Sequence, residues 1–355
     1  MAAALLSAAA ASGTQYLVYA GAYTSGASRG IYGYRFDTRS GKLKSLGLLA
    51  NAANPTFLVA HPDRRFLYAV NETGGSVSAY LIAPKSGKLS LVNQTPSRGD
   101  GPCHLALDRE GRWLAVANCA SGSVAILPLR KDGGMGEAQA PVQHQGAAHP
   151  RCVLFSPDNR FVLVADPGLD RIYVYRFDAA TGSLAPAATP YIAAAAGAGV
   201  GYLAFHPNGR VLYAGNQTRP GVTAYRYNPD DGGLTEFQTV PTVAPSNAAP
   251  GAAAEVAVNA AGNMVYATNR GADSMALLVV DPVKFTLSLL ELTPLVGRTP
   301  SYFALDPSGA YLLVANWDSG TITVYTVHPH TGQLRPAGRP PHIDRPACLV
   351  IVPPP

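Results

Sequence analysis

The side chains that could carry chemistry stand far apart in the sequence, yet most of them occupy two fixed places in a repeated pattern. Imidazoles titrate near neutral pH and carboxylates accept protons, so such a set can supply general acid–base catalysis. Guanidinium groups bind carboxylates and phosphates through paired hydrogen bonds, so the set can also hold an anionic small molecule. The candidates are His104, His149, Arg151, Tyr202, Glu255 and Arg270.

A structural role is the alternative for several of these residues. His104 and His149 could each be a rim histidine that is fixed by a hydrogen bond. Glu255 could form an ion pair with Arg270, which lies in the same repeat. The acidic group interrupts a stretch of small and apolar residues, GAAAEVAV, and this context favours a functional role for Glu255.

Other chemistries lack support in the sequence. It contains no glycine-rich phosphate loop, no H-E-x-x-H and no G-x-S-x-G, and no spacing of Ser, His and Asp singles out a triad. The four cysteines include no C-x-x-C pair, which argues against a zinc or dithiol site. Nothing in the spacing of His104, His149 and Glu255 enforces a metal site. We therefore expect neither a metal nor a cofactor.

Composition indicates a folded chain that binds no nucleic acid and no membrane. Charged residues make up 14% of the 355 residues, and the net charge of +5 comes from scattered Lys and Arg rather than from a cluster. This distribution is typical of a solvated surface, so no nucleic-acid partner is predicted. No stretch reaches the length of a membrane span. We expect a monomer.

The first 15 residues, MAAALLSAAAASGTQ, are small and apolar. They resemble the end of an export signal but lack its positively charged start, so they are interpreted as a flexible or residual signal segment. A periplasmic or secreted location follows if this segment is a trimmed signal, and a cytoplasmic one if it is not. No sequence boundary divides residues 16–355, which we predict to form one domain.

A sequence repeat of about fifty residues runs along this domain. Its landmark is a turn such as HPDRR, SPDNR, HPNGR or DPSGA, followed by an apolar run that ends in Asn or Asp. Further short runs rich in β-branched and aromatic residues come next, separated by turns such as SGKL and TGSL. Four short strands per repeat are typical of a β-propeller blade. The landmarks recur at intervals of 47 to 53 residues, at Pro62, Arg109, Pro157, Pro207, Ala260 and Pro307.

Six copies are complete and a seventh is divided between the ends of the chain. Residues 16–49 supply three strands, and the missing innermost strand matches RPACLVIVP at residues 345–353. We therefore predict an all-β, seven-bladed β-propeller whose closing blade is shared by the N- and C-terminal segments. Such closure removes the open sheet edges that invite aggregation.

Two variable places per blade should meet at one mouth of the central channel. They are the opening of the first strand and the residue after the recurrent Asn or Asp. Because the first two strands run antiparallel, these two places lie at the same end of the blade. A mouth lined in this way is the default ligand site. We expect catalysis from His149, Glu255, Arg270 and His104, and substrate binding from Arg151, Tyr202, Tyr302, Glu72, Asn216, Gln217 and Trp317.

The chain resembles the lactonase family of seven-bladed propellers, which includes the propeller-type 6-phosphogluconolactonase and the carboxymuconate-lactonizing enzyme. The resemblance runs over nearly all of the chain after residue 15. Besides GPCHL, AHPR and NRG at Asn269–Gly271, it is carried by NPTFLVAHPDRRFLYAVNE, FSPDNRFVLVADPGLDRIYVYRFD, LAFHPNGRVLY and FALDPSGAYLLVANWDSGTITVY.

The same resemblance implies that several residues of the family's site have been replaced in this chain. The family's pattern keeps His104, His149, Glu255 and Arg270, whereas arginines that it usually carries are replaced here by Gly201 and Ser301. Fewer arginines weaken the case for a phosphorylated sugar lactone, because Arg is the preferred bidentate partner of phosphate. Tyr202 and Tyr302 make the site more aromatic, which suits a neutral or aromatic ligand.

The function predicted from these residues is a lactonase-like hydrolase or cycloisomerase that acts on a small cyclic ester. In this hypothesis His149 or Glu255 is the base, Arg270 and Arg151 stabilise the developing negative charge, and His104 orients or donates a proton. Two alternatives remain open. One is a non-catalytic propeller that binds a small molecule or acts as an interaction scaffold, and the other is a hydrolase of a different, aromatic ester.

The cysteines are predicted to be free thiols. No disulfide is needed for folding, because no pair has a spacing that suggests one. Cys103 and Cys152 fall in neighbouring blades near the same rim, so they are the only pair for which a disulfide needs to be considered.

Overall fold

A computed structural model of the chain describes residues 14–243 and 253–354. The signal-like segment, apart from its last two residues, therefore lies outside the described residues. Within these ranges the regular structure consists of strands, with one short 3₁₀ helix at Glu72–Gly74. No described helix is long and apolar enough to cross a membrane. The all-β prediction is confirmed.

The strands form seven four-stranded antiparallel sheets, which are the blades of a propeller. Blades 1 to 4 contain β1 (Gln15–Ala22), β2 (Gly30–Asp37), β3 (Lys42–Asn51); β4 (Leu58–Ala60), β5 (Phe66–Asn71), β6 (Ser76–Ile82), β7 (Leu89–Pro96); β8 (Pro102–Leu107), β9 (Trp113–Asn118), β10 (Ser123–Pro128), β11 (Val142–Gln143); β12 (Cys152–Phe155), β13 (Phe161–Asp166), β14 (Arg171–Asp178) and β15 (Ser183–Ala193). Blades 5 to 7 contain β16 (Val200–Phe205), β17 (Val211–Asn216), β18 (Gly221–Tyr227), β19 (Leu234–Pro241); β20 (Ala253–Val258), β21 (Met264–Asn269), β22 (Ser274–Val280), β23 (Leu287–Pro294); β24 (Pro300–Leu305), β25 (Tyr311–Asn316), β26 (Thr321–Val327) and β27 (Leu334–Ala337), and β28 (Pro346–Val352) completes blade 1.

The C-terminal strand closes the ring as predicted. β28 is the innermost strand of blade 1 and pairs antiparallel with β1, with Leu17 opposite Val352 and Ala20 opposite Leu349. The first strands of neighbouring blades pack against one another, so they surround the central channel.

Each blade is packed between its two neighbours, which explains why its second strand is buried on both faces. Along β1, Leu17 and Tyr19 join the core between blades 1 and 2, whereas Val18 and Ala20 join the core between blades 7 and 1. Successive strand residues point to opposite faces, so an uninterrupted apolar run fills two interfaces at once. This is the reason that the repeated apolar runs do not alternate with polar residues.

The repeated turn and the recurrent Asn serve the scaffold. The fourth turn residue adopts a left-handed backbone in every complete repeat, which explains the frequent Gly and Asn there. The side chain of the recurrent Asn bonds within its own blade, as when Asn71 Nδ2 donates to Ser78 Oγ at 2.9 Å. The left-handed positions are Arg64, Gly111, Asn159, Gly209, Gly262 and Gly309, with φ between 62° and 75°.

Candidate functional site

One mouth of the central channel holds a cavity of about 270 Å³. Its wall combines two guanidiniums, one carboxylate, two hydroxyl-bearing side chains of β-strand openings and several aromatic rings. These residues come from all seven blades, so the complete ring is needed to build the cavity. The lining residues are Tyr23, Thr56, Phe57, Glu72, Cys103, Arg151, Tyr202, Arg270, Ser301, Tyr302, Trp317 and Ala347.

One place in the repeat supplies much of the polar wall. Tyr23, Glu72, Arg270 and Trp317 each lie directly after the second strand of their sheet, counted outward from the channel. The strand sets the direction of the chain as it reaches the rim, and the next side chain then turns towards the axis. The structure thus brings both variable places of the repeat to one mouth.

Arg270 is the side chain in this wall that most clearly lacks a partner. Its Nε is buried and has no hydrogen-bond acceptor among residues 14–243 and 253–354, and no salt bridge engages it there. A buried donor that is left unpaired costs free energy, roughly 1–3 kcal/mol and more for a charged group. An acceptor on a ligand in the cavity would remove that cost.

Arg151 is more firmly held. Its Nε donates a hydrogen bond to Tyr202 Oη at 3.4 Å, and its backbone N–H donates to the carbonyl of Ala165 at 2.9 Å. The pKa of Arg151 lies well above its ordinary value, chiefly because of the neighbouring Tyr202. Arg151 is therefore a fixed positive charge on the wall of the cavity.

Glu72 is the carboxylate of the mouth cavity. Its Oε2 accepts a hydrogen bond from Thr56 Oγ1 at 2.7 Å, and its backbone N–H donates to the carbonyl of Asn54 at 3.1 Å. Both the side chain and the backbone of Glu72 are thereby fixed in orientation. A carboxylate so oriented, in a wall that also holds two guanidiniums, can accept a proton from a bound water or substrate.

Aromatic rings enclose the polar groups. Tyr23 and Trp317 pack with their ring centroids 4.4 Å apart, and burial raises the pKa of Tyr23 to about 12, so its hydroxyl stays protonated. Phe57 meets Tyr302 edge to face at 5.8 Å. Ring faces of this kind suit the C–H faces of a sugar or an aromatic ligand.

His104 and Glu255 lie on the wall of a second cavity of about 600 Å³, the deeper cavity, which continues along the channel to the opposite ends of the first strands at Ala60 and Leu107. Phe57 and Tyr302 line both cavities and form a common wall between them. The predicted catalytic residues are thus divided between levels. Arg270 belongs to the mouth, and His104 and Glu255 belong to the deeper cavity.

His104 is enclosed by its neighbours. It is buried, its ring lies 3.9 Å from that of Phe57, and its Nδ1 accepts a hydrogen bond from the backbone N–H of Val153 at 3.4 Å. Burial, assisted by the Arg151 charge, lowers the pKa of His104 to about 3. At neutral pH this imidazole is uncharged and supports the wall.

Glu255 carries a perturbed carboxyl group. Burial raises its pKa to about 8, so the group is protonated at neutral pH. One oxygen accepts a weak bond of 3.3 Å from the backbone N–H of Val256, and the other has no partner among the described residues. No ion pair joins Glu255 to Arg270 in this part of the chain. The structural alternative for Glu255 is therefore wrong.

His149 lies outside the cavity wall, on the loop between blades 3 and 4. Its side chain is exposed, and its Nδ1 lies 3.1 Å from Cys119 Sγ. Its backbone N–H donates to Asp166 Oδ1 at 2.8 Å, which fixes the loop against blade 4. The hydrogen bond with Cys119 raises the pKa of His149 above its ordinary value.

Two predicted binding residues stay away from the cavity wall. Asn216 is buried and bonds to Thr223 Oγ1 at 2.9 Å, like the recurrent Asn of other blades. Gln217 occupies the space beside Gly201, where an added Cβ would come within 2.4 Å of Gln217 Nε2. An arginine at position 201 would have to displace that amide.

The sequence prediction did not include Tyr23, Thr56 or Cys119 among the site residues. Tyr23 and Cys119 follow second strands, like Glu72, and Thr56 opens a first strand, like Arg151. Position in the repeat was therefore the signal that could have found them. Within the described ranges, no three His, Cys, Asp or Glu side chains are grouped as a metal site would require.

Comparisons with known proteins extend over most of the chain. The family described as lactonase, 7-bladed beta-propeller, matches residues 17–351. The 6-phosphogluconolactonase of Bacillus subtilis (strain 168) is 29% identical over 352 residues, which cover 95% of this chain and 98% of that protein. The 6-phosphogluconolactonase of Formosa agariphila is 28% identical, covering 86% and 90%. The solved structure of a Pseudomonas aeruginosa periplasmic gluconolactonase is 30% identical with a TM-score of 0.91, covering 96% and 100%.

Proposed function

The chain belongs to the lactonase family of seven-bladed β-propellers, and from this premise we propose that it hydrolyses a small sugar lactone in the mouth cavity. Two relatives are named 6-phosphogluconolactonase and one structural neighbour is a gluconolactonase. The cavity of about 270 Å³ is of a size for one small ring rather than for a polymer.

The observation that carries this proposal is the buried Nε of Arg270, which lacks an acceptor within residues 14–243 and 253–354. The same wall holds the Arg151 cation. A lactone carbonyl gains a full negative charge when it is attacked, so these donors would bind the transition state more tightly than the substrate.

Glu72 is the proposed general base. It would take a proton from a water molecule, and the water oxygen would attack the carbonyl carbon of the lactone. The carbonyl π electrons move onto the carbonyl oxygen, which Arg270 and Arg151 hold as an oxyanion. When these electrons return, the ring C–O bond breaks, and the proton carried by Glu72 passes to the departing oxygen to give an alcohol.

Glu72 is preferred over His149 and Glu255 as the base for physical reasons. His149 lies at the exposed rim, and its raised pKa favours the protonated form, which attracts anions but cannot accept a proton. Glu255 is protonated at neutral pH and lies behind Phe57 and Tyr302. It can therefore donate a proton or form an uncharged part of the wall, but it cannot act as the base.

The substrate class follows from the shape and charge of the wall. The Tyr23–Trp317 pair offers apolar ring faces that suit a sugar ring. Two guanidiniums can bind the lactone carbonyl and one further oxygen group, and Glu72 opposes the binding of additional negative charge. We therefore propose an unphosphorylated aldonolactone as the preferred substrate.

The test is proton release during ring opening, measured against the uncatalysed rate. Glucono-δ-lactone and its 6-phosphate are each added to the protein and to its Glu72→Gln variant, and the ring-opened acid is identified as the product. The protein should accelerate the opening of both lactones and the neutral one more strongly. The proposal fails if neither rate rises, or if the variant retains the full rate.

A further inference from the structure

The rim of the mouth cavity holds a cluster of groups that the proposed hydrolysis does not use. Cys119 follows β9, and its Sγ lies 3.1 Å from Nδ1 of His149. Cys103 lies on β8, the neighbouring strand, and its thiol faces the carbonyl of Pro150 at 3.4 Å. Both cysteines are partly exposed, and Cys103 also lines the cavity beside Arg151.

The two thiols are inequivalent although they lie at the same end of the paired strands β8 and β9. The neighbouring Cys103 thiol lowers the pKa of Cys119 to about 5, and His149 and Arg151 lower it further against the opposing effect of burial. The proximity of Cys119 in turn raises the pKa of Cys103 well above its ordinary value. Near neutral pH the pair therefore consists of one thiolate and one thiol.

Such a pair has the arrangement of an attacking and a resolving cysteine. A thiolate beside cationic groups is the reactive form of cysteine, and a neighbouring thiol can capture its oxidised form. We propose that Cys119 and Cys103 form a peroxide-sensitive thiol pair that closes to a disulfide at the mouth of the channel. This proposal does not depend on the hydrolytic function.

The chemistry balances with hydrogen peroxide as the oxidant. The Cys119 thiolate attacks one peroxide oxygen, the O–O bond breaks, and the departing hydroxide takes a proton to become water. Cys119 is then a sulfenic acid, oxidised by two electrons. The Cys103 thiol gives up its proton and attacks the Cys119 sulfur, the S–O bond breaks, and a second water leaves. Two thiols and one peroxide thus yield one disulfide and two waters.

The local backbone is suited to this closure. β8 and β9 are antiparallel, with Pro102 opposite Asn118 and His104 opposite Ala117, so the register shifts at Cys103. A β-bulge of this kind leaves one residue outside the ladder. Cys103 is therefore less constrained by the pairing of β8 and β9 than its neighbours are.

Disulfide formation would also change the site. The Cys103 sulfur would leave its place in the cavity wall, and the Cys119 sulfur would lose its contact with His149. The sequence singled out Cys152 as the one cysteine that could pair with Cys103. In the structure Cys152 is buried beside His104, and burial raises its pKa, so it remains an unreactive thiol.

The experiment counts free thiols after brief exposure of the whole protein to one equivalent of hydrogen peroxide. Of the four cysteines, two should become unreactive towards a maleimide, and a reductant should restore them. Peptide mapping should find Cys103 linked to Cys119. Cys103→Ser should instead accumulate a Cys119 sulfenic acid that dimedone traps, and Cys119→Ser should keep its three thiols.

The control is Cys348→Ser, which removes a buried thiol that the pair does not contact and should leave the disulfide unaffected. His149→Ala should slow alkylation of Cys119 by iodoacetamide at about pH 6, where the thiolate needs its neighbours, and much less at about pH 9. The proposal would be overturned by any of three results. These are the survival of four thiols after peroxide, a disulfide between any other two cysteines, and stable dimedone labelling of the unmutated protein.

Discussion

Thr56 Oγ1 donates a hydrogen bond of 2.7 Å to Glu72 Oε2 across the opening of blade 2, and this bond aims the carboxylate at the cavity. Thr56 opens the first strand region of the blade, and Glu72 follows its second strand. The antiparallel pairing of β4 and β5 therefore brings both residues to the same rim.

Glu72→Gln should reduce kcat for a lactone by about 10²–10⁴-fold, the contribution typical of a general base. The amide has nearly the same shape as the carboxylate, so the melting temperature should change little. Steady-state proton release measures kcat. Glu110→Gln, which alters an exposed carboxylate on the turn between β8 and β9, is the matched control and should keep the parental rate. A Glu72→Gln enzyme of normal kcat would remove Glu72 from the mechanism.

Arg270→Ala should lower kcat/KM by about 10²–10³-fold, since it removes a donor to the developing oxyanion. Arg270→Lys should recover only part of that loss, because an ammonium replaces a planar fork with a point charge. Arg298→Lys, at an exposed position of blade 7, controls for the change of side chain. Equal rates for Arg270→Lys and the parent would show that the fork geometry is not required.

Much of the fold could be predicted from sequence because the same strand and turn pattern recurs in each complete blade. The turn, the buried second strand and the Asn or Asp that ends it each appear in every complete blade, and the unmatched strand at residues 345–353 predicted the closure. The division of the channel into two levels could not be predicted in this way. Arg151 and Cys152 are adjacent in sequence, yet one lines the mouth and the other is buried, because successive strand residues point in opposite directions.

Register shifts and contacts between blades account for the rest. The first two strands of blade 6 shift register between Ala253 and Val256, so counting residues did not reveal that Glu255 faces the deeper cavity. The contact between Cys119 and His149 joins blade 3 to the loop that leads into blade 4. No local pattern encodes such a pair, since it depends on how two sheets pack.

Removal of residues 345–355 should destabilise the protein severely. The deletion takes away β28, exposes the edge of β1, and removes the buried Cys348, Leu349 and Val352 from two interblade cores. Each large apolar side chain contributes roughly 1.5–3 kcal/mol when it is fully buried, so the loss should amount to several kcal/mol. Thermal unfolding measures it. Truncation after Val352 keeps the strand and should retain most of the stability, and equal melting temperatures for both truncations would contradict ring closure by β28.

Glu255→Gln should change how stability depends on pH, and this prediction needs no substrate. The pKa of Glu255 is raised by burial from an ordinary 4.5 to about 8 in the folded protein. Between these values the folded state binds a proton that the unfolded state has released, so the carboxyl lowers stability as the pH rises through this window and adds no further change above it. Glutamine does not titrate.

The free energy of unfolding of the variant should therefore match that of the parent near pH 5 and exceed it at about pH 9, by roughly 1–3 kcal/mol once screening by channel water is allowed for. Chemical denaturation at both pH values measures the difference, and Glu110→Gln, at an exposed carboxylate, should show none. If the advantage of Glu255→Gln is the same at pH 5 and pH 9, the carboxyl does not titrate in this window, and its assignment as a protonated group in the channel is wrong.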